Sequence, residues 1–98
     1  MTFEIRLRQE SKNDLRVAFE YYEQIRQGLG QDFLLCFENS LAKIQRTPMS
    51  FKVVYSGLRR IAIRRFPYRI FYIVDDSTIV ITAIFHVRQN PESWQYRT

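Results

Sequence analysis

The sequence predicts an α+β domain: an N-terminal strand, an antiparallel helical hairpin, then a three- to four-stranded antiparallel meander, with both helices packed on one sheet face. Three observations carry this. Apolar residues recur at spacings of three and four between Leu15 and Ile44. From Phe51 onward the spacing changes to two. The later segments are joined by turns so short that their neighbours must run antiparallel.

Phe3, Ile5 and Leu7 alternate with Glu4, Arg6 and Arg8, the mark of a strand with one wet face. Ser11 is placed to begin a helix, with Asp14 three residues on as a short form of the capping box. Leu15, Ala18, Phe19, Tyr22 and Ile25 make one apolar stripe along it. Gly28 and Gly30 stop it, because glycine adopts the left-handed conformation used at helix C-caps. Asp32 suits the cap or first turn of a second helix, whose apolar face is Phe33, Leu34, Phe37, Leu41 and Ile44. Pro48 ends it, lacking the donor that a continuing helix needs. Each helix has a single apolar face, so both must pack on the remainder of the chain.

That remainder reads as strands. Phe51 to Tyr55 is closed by Ser56 and Gly57, Leu58 to Phe66 by Pro67, and Tyr68 to Val74 by Asp75, Asp76 and Ser77. Thr78 to Phe85 is a β-branched run in which Ile79, Ile81, Ala83 and Phe85 are expected on one face. Pro91 starts a helical turn or loop in the tail, and Trp94 folds it back onto the sheet.

The chain of 98 residues is one domain's worth, 1–98, with 46% hydrophobic and 15% aromatic side chains to build a core. Cys36 is its only cysteine, which excludes an intrachain disulfide and a cysteine-based zinc site. With His86 its only histidine, a multi-histidine metal site is excluded too, and no cofactor is expected. No apolar run approaches the ~20 residues of a membrane span, and Met1 to Arg8 lacks a signal-peptide core. A soluble, cytoplasmic protein is expected. Charge is uneven: residues 1–51 carry seven basic and seven acidic side chains, residues 52–98 eight and three, which gives the net +5. Between Lys52 and Val74 there are six basic residues and no acidic one, a field that attracts nucleic acid or an acidic protein segment. The sheet face away from the helices would display some of Arg60, Arg64, Tyr68, Ile70, Tyr72, Val80, Thr82 and Ile84. That mixture is too apolar to be merely wet and suggests a binding surface.

The order of these features resembles a known family. Asp14-Leu15 near the start of the first helix is followed by Gly28-Leu29-Gly30, Phe33-Leu34 and Pro48. Then come a basic strand from Arg59 to Arg65, Phe66-Pro67-Tyr68 with Tyr72 four on, and Phe85-His86-Val87-Arg88, Pro91, Trp94 and Arg97. Taken together over essentially the whole chain, these are similar to the RelE/ParE superfamily of toxins from type II toxin–antitoxin systems. The turn and tail look more like the ParE branch. The resemblance implies a small toxin, neutralised in a hetero-oligomer by a cognate antitoxin bound across its sheet and helices, with Tyr68, Ile70 and Tyr72 among the antitoxin contacts. It implies one of two targets: DNA gyrase, or messenger RNA in the ribosome.

Metal-free RNA cleavage needs a base, an acid, and cations for the charged phosphorane. Arg59, Arg60, Arg64, Arg65, Arg69 and Arg97 are candidate anion- or target-binding residues. His86 is the only side chain with an ordinary pKa suited to acid–base work near neutrality, and Arg88 stands beside it. As a nuclease the chain would use His86 and Arg88; no second acid–base partner is evident nearby. His86 also suits a structural role, as a hydrogen-bonded strand-end residue holding the tail. Arg59 suits one too, pinning the C-terminal segment or an acid on the first helix. Tyr21-Tyr22 reads as packing within the hairpin, and Cys36 as a buried side chain with no adjoining base.

Overall fold

The computed structural model describes residues 3–97. Its elements are β1 (Glu4–Leu7), α1 (Gln9–Ile25), α2 (Leu29–Arg46), β2 (Val53–Tyr55), β3 (Leu58–Ala62), β4 (Tyr68–Asp75), β5 (Thr78–His86) and α3 (Pro91–Gln95). The five strands form one sheet in the order β1-β5-β4-β3-β2. The meander has its four strands, and β1 joins it at the far edge, parallel to β5, with Ile5 opposite Ile79 and Leu7 opposite Ile81. This register sets Ile5 and Leu7 of β1 beside Ile79 and Ile81 of β5, all four turned towards the helices.

The helices lie on that face. Ala18 and Tyr22 of α1, with Phe33, Cys36, Phe37 and Ile44 of α2, close over Ile63, Ile70, Tyr72, Ile79, Ile81 and Ile84. A fully buried side chain of this kind contributes roughly 1.5–3 kcal/mol relative to leaving it exposed. Ile25 departs from its expected stripe and points outward, 58% exposed. Between the helices Gly28 takes φ +90°, and Glu23 of α1 accepts hydrogen bonds from the Gly28 and Gly30 N–H groups at 3.0 Å each. One carboxylate thereby serves two donors at the start of α2. Gly30 is required by close approach: a Cβ there would stand 2.9 Å from the Phe19 ring. At the other end of α2, the Tyr72 hydroxyl donates to the buried Pro48 carbonyl at 2.7 Å.

Three expectations are corrected. α1 starts at Gln9, with no side-chain cap; Ser11 donates to the Arg8 carbonyl instead, and Asp14 is not part of a capping box. Second, β5 does not alternate strictly. Phe71 faces Ala83 but Tyr72 faces Ile81, so Thr82 is an extra residue. A bulge of this kind reverses the facing of everything beyond it. Ile79 and Ile81 therefore share the helix face with Ile84, while Ala83 and Phe85 turn to the opposite face. Third, that opposite face is partly covered by the chain itself. Leu58, Phe71, Ala83 and Phe85 form a second buried cluster, and Trp94 of α3 stacks on Phe71 with centroids 4.5 Å apart and planes 17° apart. Asn90 caps α3 by accepting from the Glu92 N–H, and Pro91 occupies its first turn, where no donor is needed.

Asp14 and Arg97 join the two sides of the sheet. β1 ends at Leu7, leaving the edge of β5 beyond Ile81 without a neighbouring strand. Asp14 accepts from the Ile84 N–H at 3.0 Å and pairs with the Arg97 guanidinium at 2.5 Å. Arg97 also lies over the Phe85 ring at 4.6 Å, and its carbonyl accepts from Arg8 at 2.9 Å. The first helix, the strand edge and the tail thus meet in one ion pair.

Candidate functional site

The six arginines expected to bind an anion or target divide among four places. Arg60 and Arg69 stand together on the face away from α1 and α2. Their registers, Arg60 opposite Phe71 and Ala62 opposite Arg69, make them diagonal neighbours there. Burial, and then the Arg69 charge, hold the Arg60 pKa below its usual value. Two like charges are therefore kept adjacent on a partly desolvated surface, an arrangement that an incoming anion relieves. Beside them lie Phe71 with Trp94 stacked on it, Tyr55 at 6.5 Å from Trp94, and Phe85 opposite Arg69. Cations interleaved with aromatic rings can bind acidic side chains, phosphates or flat bases.

The other four are placed elsewhere. Arg59 turns to the helix face and donates to the Met49 and Phe51 carbonyls at 3.1 and 2.7 Å, pinning the α2–β2 connection rather than the tail. Arg97 is engaged by Asp14. Arg65, at φ +76° in the β3–β4 turn, lies over the Phe66 ring at 5.7 Å. Arg64, in the same turn, lines a cleft along α2. The arginines form no single continuous platform, because strand alternation separates Arg59 from Arg60 and the ion pair occupies Arg97.

His86 ends β5 opposite Tyr68, on the helix side of the sheet. The rings meet edge to face with centroids 5.2 Å apart. His86 Nδ1 accepts from the Arg88 N–H at 3.0 Å, and its own backbone N–H donates to Gln89 at 2.7 Å. The contacts bind the strand end to the following turn, and the sheet stands between the imidazole and the Arg60–Arg69 pair.

Of the residues expected to meet an antitoxin, Ile70 and Tyr72 have no exposed surface. The β3–β4 register turns them under the helices, so they are core in this fold. Burial drives the Tyr72 phenol up to about 12, against a smaller opposing effect of the Arg59 charge. Tyr68 alone reaches the surface, at a cavity of about 160 Å³ bounded by Asn13, Val17 and Gln89. Its pKa is raised by burial and by the nearby Tyr21. Next to it runs a feature missed in the sequence: Val17, Tyr21 and Ile25 of α1, four residues apart and each more than half exposed. Their spacing was a signal for a second apolar stripe, hidden because Ile25 also fits the first one. Among the described residues, no group of three or more histidine, cysteine, aspartate or glutamate side chains could hold a metal ion. No helix among the described residues is long and apolar enough to cross a membrane.

Comparison with known proteins agrees with this geometry. The family model described as the ParE toxin of type II toxin–antitoxin system, parDE, matches residues 5–91. Toxin ParE2 of Mycobacterium tuberculosis is 29% identical over 94 residues, spanning 95% of this chain and 90% of that one. Among solved structures, the chromosomal ParDE system from P. aeruginosa superposes with a TM-score of 0.77 at 14% identity, covering 86% of this chain and 95% of that chain. An arginine-substituted mutant of the E. coli toxin RelE in the free state gives 0.72 at 14% identity, covering 99% and 94%. The toxin–antitoxin complex RelBE2 from Mycobacterium tuberculosis gives 0.58 at 21% identity, covering 88% and 99%. At these identities the structures speak for the fold, and the match over residues 5–91 settles the family: the chain belongs to the ParE toxins of type II toxin–antitoxin systems.

Proposed function

We propose that this toxin arrests growth in the cytoplasm by docking on an essential protein, DNA gyrase, without itself breaking a bond, and that a cognate antitoxin silences it by covering its surface. One observation carries the choice of a binding toxin over a ribonuclease. The only histidine is on the helix side of the sheet with Nδ1 occupied, while the paired cations are on the other side. A nuclease needs its acid–base group within about 3 Å of the proton it moves and its cations on the same phosphate. The Arg60–Arg69 pair, set among Phe71, Trp94 and Tyr55, is suited to an acidic protein surface instead.

The ridge of Val17, Tyr21 and Ile25, continued by Tyr68, is the surface assigned to the antitoxin. An amphipathic helix with apolar residues at three- and four-residue spacing can lie along it.

The test is a pair of assays on the purified chain. Inhibited supercoiling and accumulated cleavage complexes with gyrase are expected, with an unaffected yield in a reconstituted translation reaction. Arg60→Ala with Arg69→Ala should remove the inhibition. Cleaved messenger on ribosomes, lost in His86→Ala, would overturn the reading in favour of a ribosome-dependent endonuclease using His86 and Arg88. Harmless overexpression would leave a chain that only binds its antitoxin.

A further inference from the structure

We propose that the cleft between α2 and the β3–β4 turn is a pocket for a terminal phosphoryl group, held by Lys43, Arg46 and Arg64. The cleft encloses about 240 Å³, with Cys36 and Ser40 at its buried side and Asn39 on its wall. It holds no carboxylate among its lining residues. Among the described residues, none of the three cations takes part in an ion pair.

Lys43 and Arg46 lie in the last turn of α2, where cations complement the carbonyl end of the helix. That explains two positive charges on one helix. It does not explain Arg64, which comes from a different element and brings a third positive charge to the same cleft. Such convergence is repulsive in the empty pocket and becomes favourable when a doubly charged anion enters.

The groups also suit the shape of a phosphoryl oxygen set. Two guanidinium forks can each bind two oxygens, the ammonium adds a point charge, and the Asn39 amide can supply a further donor. A terminal phosphoryl group offers three acceptor oxygens and nearly two charges at neutral pH, against one charge and two oxygens for a carboxylate. A recessed cleft admits the end of a small molecule, such as a pyrophosphate or nucleoside triphosphate, more readily than the phosphates of a duplex. The cleft lies in the helix layer and Arg60 with Arg69 across the sheet, so it is separate from the surface assigned to gyrase.

Pyrophosphate is to be titrated into the isotopically labelled full chain at constant ionic strength, with chloride as the compensating ion, and followed by amide chemical shifts. Saturable shifts confined to residues 36–46 and 63–66 are expected, with ATP moving the same residues. Arg64→Met and Lys43→Met should each weaken binding about tenfold or more. All three cationic side chains are on exposed residues, so the variants should keep the wild-type circular dichroism and Trp94 fluorescence. Shifts that never saturate, that glutarate reproduces equally, or that survive both substitutions would overturn the proposal. So would saturation by duplex DNA without any by pyrophosphate.

Discussion

Removing the Asp14 carboxylate should loosen the first helix, the edge of β5 and the tail together. The side chains of Asp14 and Arg97 are only 15% and 23% exposed, so solvent screens their pairing weakly. Asp14→Ala deletes the partner of Arg97 and leaves the Ile84 N–H without its acceptor. Hydrogen bonds to a charged group contribute about 1.5–3 kcal/mol each, and an unpaired, largely buried group adds a desolvation penalty. A loss of roughly 3 kcal/mol is expected, which for a chain of this length lowers Tm by about 12–24 °C. Asp14→Asn keeps an oxygen for Ile84 but not the charge, and should lose about half as much. Arg97→Met keeps an apolar stem over Phe85 while removing the ion pair. Urea unfolding of both single variants and the double variant gives the coupling, expected near 1.5 kcal/mol. Trp94, the only tryptophan and stacked on Phe71, should report the released tail through its emission. A coupling below about 0.3 kcal/mol, the level of an exposed surface pair, would refute the reasoning.

Three further outcomes follow from other contacts. The phenols of Tyr22, Tyr68 and Tyr72 all have raised pKa values, Tyr72 up to about 12, so the folded state holds their protons longer than the unfolded chain does. Stability should be unaffected below pH 10 and fall above it, with Tyr72 alone contributing a loss of at most about 1.4 kcal/mol per pH unit up to about pH 12, and a flat urea midpoint from pH 9 to 11 would contradict this. Gly30→Ala should destabilise by about 1–3 kcal/mol in thermal unfolding, since its Cβ would be driven into Phe19; a gain in stability would show that the helices can part freely. Tyr21→Glu and Val17→Glu should weaken antitoxin binding by a hundredfold or so in calorimetry with little change in Tm, while the wild-type complex persists from low to physiological salt.

Local periodicity carried most of the fold. The change of spacing at Phe51 separated helices from strands, Pro48 and the Gly28–Gly30 link marked the ends of α2, and Trp94 was legible as an anchor. What stayed hidden depends on which residues meet across the chain. The alternation of Ile5 and Leu7 is the same whichever edge β1 joins, so its parallel pairing with β5 has no local signature. A β-branched run looks alike with or without a bulge, so Thr82 gave no sign that Ala83 and Phe85 face away from Ile81. The site suffered most from this. An arginine on a strand reads equally well on either face, and only the register shows that Arg60 and Arg69 meet while Arg59 is turned away. Asp14 was read as a local cap because its partners, Ile84 and Arg97, lie 70 and 83 residues on.

The same long-range contacts decide how a partner can attach. The outer strands are short, four residues in β1 and three in β2, and the free edge of β5 is closed by Asp14 and Arg97. A partner strand beside β5 would have to displace Arg97 from Asp14 and from the Thr82 carbonyl, and beside β1 or β2 it would gain only a few backbone hydrogen bonds. Area is available on faces instead: the ridge of α1 on one side, the arginines and aromatic rings of β3 and β4 on the other. Because the sheet lies between these two faces, one small ligand cannot cover both. An antitoxin seated on the α1 ridge would therefore have to wrap the sheet to reach Arg60 and Arg69, and truncating it to the ridge-binding part should leave the complex formed but the toxin active.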